Sequence, residues 1–289
     1  MKAGQRSRTA DAAAAIRASH ARASADPVFH DPYAQVLTSR GWQAIVQHPL
    51  LHRFISPQFF PPLGRLVGQV VGRARYAEDL LVQAVARGVQ QYVLVGAGLD
   101  SFLLRQGTDF PDLTIFEVDH PDTQAGKQTQ LAKLGAIPAN VVFVPINFER
   151  ESIADALRRS RFQPDQPAFF SWLGVTHYLE PATTLATLRA IAAVAASGSE
   201  LVFDYSIPYH QLRGIERWGA FAVSKITQYL SEPLKGQLIP PELHVQLADM
   251  GFEVIEDLAA DEQNQLLFHP RRDHIQATAA TRLIHIRKL

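Results

Sequence analysis

The residues with the clearest chemical potential form a short glycine loop in the first half of the chain. An apolar run at residues 92–95 leads directly into Gly96-Ala97-Gly98. Glycines after a buried strand let the backbone turn sharply and approach a ligand closely. The third glycine of the dinucleotide-binding fingerprint is absent, since Ser101 stands at its position. By itself the loop is compatible either with a nucleotide-like ligand or with an ordinary glycine turn.

An acidic residue, Asp119, ends the next predicted strand. It lies about 20 residues beyond the glycines, where an acid can hydrogen-bond a ribose diol. The alternative is a helix cap, because Asp119 precedes His120-Pro121. Glu117 lies two residues earlier and points to the other face of a regular strand. We therefore predict that Asp119, rather than Glu117, holds a ribose.

Three further segments place polar or aromatic side chains after predicted strands. Asn147-Phe148 is suited to an adenine through its amide and its ring, although Asn147 is alternatively a helix N-cap. His177 is a candidate base beside Tyr178, or alternatively a structural hydrogen-bonding residue. Residues 204–205, Asp-Tyr, either face a second substrate or hydrogen-bond within the core.

The order of apolar runs and helical stretches predicts the scaffold that positions these side chains. Short runs of this kind suit strands buried on both faces, and their alternation with helices implies a parallel sheet. The last two runs have no clear crossover helix between them, so we expect an antiparallel C-terminal pair. The predicted fold is α/β, a doubly wound, mostly parallel sheet. Its strands are 92–95, 114–118, 141–145, 168–173, 200–205, 252–258 and 282–287.

Two segments are not needed for this sheet, and both read as helical. Residues 1–289 form one predicted domain, with an N-terminal helical cap at 1–72 and a helical insertion at 207–239 that is too long for a simple connection. We expect them to cover the carboxyl edge of the sheet and to shape a pocket for a second substrate. Their bulky side chains include Trp42, Phe54, Phe59, Phe60, Trp218, Phe221 and Tyr229.

Composition narrows the classes of function. The 289 residues contain 28 Lys plus Arg and 28 Asp plus Glu, so no global field attracts nucleic acid or an anionic membrane. We expect neither as a partner, whereas low net charge is compatible with a homo-oligomer. The absence of cysteine excludes disulfides, thiolate metal sites and a cysteine nucleophile. No signal-peptide core or membrane-length apolar run is present, so we expect a cytoplasmic protein.

Several motifs, in order along the chain, resemble the leucine carboxyl methyltransferase family, especially its bacterial S-adenosyl-L-methionine-dependent branch. The resemblance runs from about Asp31 to Tyr205. Each motif alone has low specificity for the family, whereas their occurrence together and in order is specific. They are Asp31-Pro32-Tyr33-Ala34, Arg73-Ala74-Arg75-Tyr76, Gly96-Ala97-Gly98-Leu99-Asp100, Phe116-Glu117-Val118-Asp119 and Gly174-Val175-Thr176-His177-Tyr178-Leu179.

The resemblance implies a class I, Rossmann-like methyltransferase and a role for each matched residue. Arg73 would pair with the methionine carboxylate of S-adenosyl-L-methionine, with Arg75 as the nearby alternative. The loop Gly96, Ala97 and Gly98 would line the methionine part of the cofactor. Asp119 would contact the ribose, and Asn147 and Phe148 would contact the adenine. Leu173 occupies a further cofactor-binding position of the family.

Two of these positions depart from the family pattern. Leu173 stands where many members have glutamate, and Asn147 stands where many have aspartate. A leucine cannot supply the polar contact that a glutamate makes, whereas an amide still accepts a hydrogen bond.

The expected activity is methyl transfer from S-adenosyl-L-methionine to the oxygen of a small-molecule carboxylate or hydroxyl, without a metal. A carboxylate needs no strong base, whereas a hydroxyl benefits from one such as His177, with Tyr178 beside it. Two other classes stay open on the sequence alone. They are an NAD(P)-dependent oxidoreductase on a similar sheet and a non-catalytic cofactor-binding protein.

Overall fold

Seven strands form one sheet in the computed structural model, which describes residues 7–59, 61–135, 137–148, 150–229 and 232–289. The strand order is β3-β2-β1-β4-β5-β7-β6. The strands are β1 (Gln91–Val95), β2 (Thr114–Asp119), β3 (Val141–Pro145), β4 (Phe169–Trp172), β5 (Glu200–Ser206), β6 (Phe252–Leu258) and β7 (Thr281–Lys288).

The pairing confirms the predicted fold class. Strands β1 to β5 pair in parallel, and β7 pairs antiparallel with both β5 and β6. The order reverses at β1, which lies between β2 and β4, so the sheet has the switch point typical of doubly wound folds. Each predicted strand lies within two residues of an observed one, because runs buried on both faces are apolar at nearly every position.

Helices cover both faces of the sheet. Side chains alternate along each strand, so Val93 and Val95 join one apolar cluster while Tyr92 and Leu94 join another. The helices are α1 (Arg8–Ala23), α2 (Ala34–Leu37), α3 (Arg40–Gln47), α4 (Gly64–Ala86), α5 (Phe102–Arg105), α6 (Pro121–Leu131), α7 (Ile153–Arg158), α8 (Pro181–Ala192), α9 (Gly214–Tyr229), α10 (Pro240–Asp249) and α11 (Ala260–Gln263).

Helix α4 is longer than the sequence indicates. The apolar stripe predicts a helix from Tyr76, yet the observed helix begins at Gly64 and spans 23 residues. The predicted helix start at Tyr76 is therefore wrong, and the end of the predicted cap segment, residue 72, falls within α4. Gly64 and Gly68 lie within the helix and let it pack directly against a distant backbone segment. A Cβ at Gly64 would collide with the His274 carbonyl, and a Cβ at Gly68 would collide with the Gln276 carbonyl.

The two segments outside the sheet carry helices joined by irregular stretches, such as residues 24–33 and 232–239. The first carries α1 to α3 and the start of α4, and the second carries α9. Parts of both segments, residues 1–6, Phe60 and residues 230–231, lie outside the described residues. In the described part of the chain, no helix is long and apolar enough to cross a membrane.

Candidate functional site

The carboxyl ends of the five parallel strands meet at one edge of the sheet. Backbone hydrogen bonds tie neighbouring ends together: the Gly96 N–H donates to the Val118 carbonyl at 2.7 Å, and the Ile146 N–H donates to the Asp119 carbonyl at 2.9 Å. The loops after β1, β2, β3 and β4, together with the end of β5, thus lie around the switch point. Ligands of open α/β sheets bind at this position.

The glycine loop needs glycine at its first position. Gly96 has φ of +70°, and a Cβ there would lie 2.6 Å from a methyl carbon of Val175 in the loop after β4. Gly98 has φ of +51°, and a Cβ there would contact Ala10 of α1 at 3.6 Å. The start of α1 therefore lies beside the loop, and the missing side chains leave a narrow cradle of backbone atoms.

Asp119 ties the end of β2 to this loop. Its carboxylate accepts hydrogen bonds from the backbone N–H of Gly98 and, at 2.5 Å, from that of His120. Burial raises the pKa of Asp119, and these two N–H groups oppose the rise. Asp119 is not the cap of the following helix. The His120 ring caps α6 by accepting a hydrogen bond from the Asp122 N–H. Asp119 therefore lies beside the loop, where a ribose diol could reach its remaining lone pairs.

Glu117 lies away from the ligand edge, as the strand alternation predicts. It is fully buried, and both of its carboxylate oxygens accept from the Lys127 ammonium at 2.7 Å. Burial raises the pKa of Glu117 to about 7, although the Lys127 charge acts in the opposite direction. This ion pair connects α6 to the middle of β2, away from the carboxyl end of the strand.

Arg73 lies beneath the loop that follows β4. Its Nη1 forms an ion pair with Asp204 Oδ2 at 3.0 Å, and its side chain is 15% exposed. A Cβ at Gly174 would lie 2.6 Å from the guanidinium carbon, so the backbone passes directly over the cation. Arg75, by contrast, pairs with Asp79 on the surface, at 2.7 Å and half exposed. Of the two arginines suggested for a carboxylate, only Arg73 lies at this edge.

Asp204, at the end of β5, is the centre of a buried polar network. Its Oδ1 accepts from the Gly174 N–H at 2.6 Å, and its Oδ2 contacts both Arg73 and His177. Burial alone would raise the pKa of Asp204, but Arg73 above all, and then His177, lower it well below its usual range. Asp204 therefore hydrogen-bonds within the core, which is one of the two roles that the sequence left open, but its partners Arg73 and His177 were not predicted.

His177 has a partner at each ring nitrogen. Nδ1 lies 2.8 Å from Ser206 Oγ, and Nε2 lies 2.9 Å from Asp204 Oδ2. The ring is 4% exposed. Tyr178 beside it is half-buried, which raises the pKa of its hydroxyl. A carboxylate at one ring nitrogen and a hydroxyl at the other suit either a structural histidine or a base, so both interpretations of His177 stay open.

Both segments outside the sheet reach this edge. The Glu232 carboxylate, just beyond α9, accepts from the backbone N–H groups of Arg8 and Thr9 at 3.1 and 3.2 Å, at the start of α1. The backbone N–H of Gly236 donates to the His177 carbonyl at 3.0 Å. Carboxylates stabilise helix N-termini, so the contact holds the two segments together beside the glycine loop.

The other predicted contacts follow β3 and β4. Asn147 and Phe148 are half-buried after β3, and the capping role suggested for Asn147 is filled by Ser152, which caps α7. Leu173 packs on the apolar cluster that includes Leu94, which explains how a leucine is accommodated there. Among the described residues, no three His, Asp or Glu side chains are grouped as metal ligands.

Several of the aromatic residues expected to wall a pocket face outward instead. Their exposed fractions are half or more, because they lie on the outer side of their segments. They are Phe54, Phe59, Trp218, Phe221 and Tyr229. Trp42 packs partly buried against α1, and Phe60 lies outside the described residues.

Comparisons with known proteins agree with this architecture. Residues 10–192 match the family model described as leucine carboxyl methyltransferase. A Bacillus subtilis (strain 168) protein, YktD, named as a candidate S-adenosyl-L-methionine-dependent methyltransferase, is 32% identical over 74% of this chain and 71% of its own length. A relative of the same description from Mycolicibacterium paratuberculosis is 31% identical over 90% of this chain and 85% of its own.

A solved structure supports the fold alone. A candidate methyltransferase from Thermobifida fusca YX superposes with a TM-score of 0.53 at 17% identity, over 89% of this chain and 92% of its own. The family model spans more than half of the chain, and the relatives share its cofactor class. The chain therefore belongs to the leucine carboxyl methyltransferase family and is an S-adenosyl-L-methionine-dependent methyltransferase.

Proposed function

We propose that the protein methylates an oxygen atom of a small molecule, with a carboxylate as the preferred acceptor and a hydroxyl as the second candidate. The observation that carries the preference is the His177 ring, whose two nitrogens are both held, by Ser206 and Asp204. A carboxylate is already nucleophilic at neutral pH and needs no base. A hydroxyl acceptor would require His177 to give up one of these partners.

The proposed cofactor contacts follow the order of the strands. Arg73 presents further N–H groups besides the one on Asp204, and these would bind the methionine carboxylate. The backbone of Gly96, Ala97 and Gly98 would line the methionine part of the cofactor. Asp119 would accept from the ribose hydroxyls, and the Asn147 amide would contact adenine with Phe148 against its ring. Leu173 would lie on the other side of the switch point, at the end of β4. These assignments rest on the position of each residue at the sheet edge.

The chain's contribution to the reaction is positioning. When bound, S-adenosyl-L-methionine supplies a methyl group already activated on a sulfonium. The protein must hold acceptor oxygen, methyl carbon and sulfur in line and exclude water. The Glu232 contact with the start of α1 closes one side of this edge. Tyr178, next to Arg73, lies where an acceptor could be oriented.

Cofactor binding is tested through Asp119. We expect S-adenosylhomocysteine, and not NAD, to raise the melting temperature, since a ligand at a hundred times its dissociation constant adds about 2.7 kcal/mol. Asp119→Ala should weaken binding by about 1.5–3 kcal/mol in a calorimetric titration, because charge-assisted hydrogen bonds are lost. The control is Asp112→Ala, an exposed acid before the amino end of β2. Equal affinities of Asp119→Ala and Asp112→Ala for S-adenosylhomocysteine would remove Asp119 from the cofactor site.

The Gly174 contact gives a sharper test of Arg73. Gly174→Ala adds a Cβ against the guanidinium, so we expect loss of S-adenosylhomocysteine affinity by about 1.5–3 kcal/mol. Gly214→Ala is the matched control, because Gly214 also has positive φ, +56°, with no atom within 4 Å of an added Cβ. Both variants should lose about 1–2 kcal/mol of stability from the left-handed backbone. Equal affinities in the two variants would remove Arg73 from the cofactor site.

The acceptor class is tested with a donor that carries a tritiated methyl group. Carboxylic acids and alcohols or phenols are offered in separate reactions, and each product is treated with base. Methyl esters release volatile labelled methanol, whereas methyl ethers do not. We expect base-labile label, retained in His177→Gln if that variant stays folded. Base-stable label that is lost in His177→Gln would indicate a hydroxyl acceptor instead.

A further inference from the structure

One side of α9 exposes an apolar surface that the site does not use. This α9 face consists of Ile215, Trp218, Phe221, Ile226 and Tyr229, which are 63%, 75%, 55%, 59% and 84% exposed. Spacings of three to five residues place these side chains on one side of the helix. Trp218, Phe221 and Tyr229 are aromatic, so the surface is larger than scattered exposed residues require.

The opposite side of α9 holds the helix on the protein. Ala220 and Thr227 are buried there. Glu216 forms an ion pair with Arg65 at the start of α4, and it also accepts from the Thr278 hydroxyl at 2.8 Å. The helix is thus docked by one side, and the α9 face points outward.

Cations accompany this face, and acids do not. Glu216 is the one acidic residue between 205 and 231, and it is used inward, whereas Arg213, Arg217 and Lys225 are exposed. A second exposed apolar group precedes α4 in a stretch, residues 32–77, that contains no Asp or Glu. That group is Leu50, Leu51, Phe54 and Phe59, with Arg53 stacked 4.3 Å above the Phe59 ring. The Arg65–Glu216 ion pair connects the two segments.

We propose that the α9 face docks on an anionic lipid surface. Apolar and aromatic side chains enter the interface of a bilayer, while neighbouring lysines and arginines pair with anionic headgroups. The neutral total charge of the chain, which predicts no membrane contact, averages over this uneven distribution. A second copy of the chain fits less well, because a two-fold contact through the α9 face brings the same exposed cations together. The proposal is independent of the methyl acceptor.

Vesicle co-sedimentation of the full chain tests the proposal. We expect binding to vesicles of equal parts phosphatidylcholine and phosphatidylglycerol at low salt, weaker binding at high salt, and little binding to phosphatidylcholine alone. Emission of Trp218 should shift to shorter wavelength on binding. The other two tryptophans, Trp42 and Trp172, are partly and fully buried and should report little change.

Two variants separate the apolar and the charged contributions. Trp218→Ser with Phe221→Ser, and separately Arg217→Glu with Lys225→Glu, should each weaken binding at least about tenfold. The matched control is Val245→Ser with Leu266→Ser, two exposed apolar residues on other elements. All three should keep the melting temperature, since the altered side chains face solvent.

Three results would overturn the proposal. The first is no sedimentation with the anionic vesicles. The second is equal binding to neutral vesicles that is insensitive to Arg217→Glu with Lys225→Glu. The third is a concentration-dependent dimer, in the absence of vesicles, that Trp218→Ser with Phe221→Ser abolishes, because the α9 face would then be an interface between copies.

Discussion

Replacing Asp204 with alanine should destabilise the fold by about 3–5 kcal/mol, because it leaves a buried cation without its partner. Arg73 is only 15% exposed and pairs with Asp204, and the Gly174 N–H and the His177 ring lose their acceptor as well. We also expect weaker binding of S-adenosylhomocysteine, since Arg73 would no longer be held beneath the loop. Urea unfolding and calorimetric titration measure the two effects.

A surface ion pair on α4, the helix that carries Arg73, gives the control for Asp204. Asp79 pairs with Arg75 on α4, and both side chains are about half exposed. Asp79→Ala should therefore cost less than about 1 kcal/mol, because solvent screens such pairs. Similar costs for Asp79→Ala and Asp204→Ala would contradict the view that Asp204 organises the site.

The Asp204 effect should depend on pH in a defined direction. The pKa of Asp204 is lower in the folded protein than in the unfolded chain, so its ionised form stabilises the fold. This contribution is complete above the unfolded pKa of about 3.9 and is lost as the pH falls through the folded pKa. The difference in stability between the original chain and Asp204→Ala should be constant near neutral pH and shrink in strong acid. A difference that grows with acidity would be inconsistent with the lowered pKa.

Replacing Lys127 with methionine should have an effect of similar size away from the site. Glu117 is fully buried, and Lys127 is its counter-charge at 2.7 Å, so the single substitution leaves an unpaired buried carboxylate. Breaking such a pair costs about 3–5 kcal/mol. Urea denaturation at several pH values is the measurement.

The pH dependence and a double variant make the Lys127 prediction specific. Burial raises the pKa of Glu117 to about 7, and removal of Lys127 raises it further. A raised carboxyl pKa favours the protonated folded state, so stability is lost as the pH rises from the unfolded value through the folded one. Lys127→Met should therefore cost more at pH 8 than at pH 5. Glu117→Leu with Lys127→Met should recover most of the loss. A double variant as unstable as the single one would show that shape, rather than charge, sets the cost.

The amino-acid sequence by itself determines the sheet and the approximate place of the site. Strands β3 and β6 have the predicted bounds, Val141–Pro145 and Phe252–Leu258, because local apolar patterning and turn residues suffice to locate buried strands. Parallel strands end at a common edge, so Gly96, Asp119 and His177 are predicted to lie there from their positions after strands alone. The different surroundings of Asp119, beside the glycine loop, and Glu117, against Lys127, follow from the alternation of side chains along a strand.

Only the tertiary structure decides which side chains are partners across the chain. Arg73 lies more than a hundred residues before both His177 and Asp204 in the sequence, and no local pattern encodes the contact of these three side chains. Helix α4 extends through Gly64 and Gly68 because a distant backbone segment packs there, which overrides the low helix propensity of glycine. The side of α9 that faces solvent is likewise set by where Glu216 and Arg65 meet. Local sequence specifies elements through propensity and periodicity, whereas these contacts depend on long-range packing that forms only when the elements assemble.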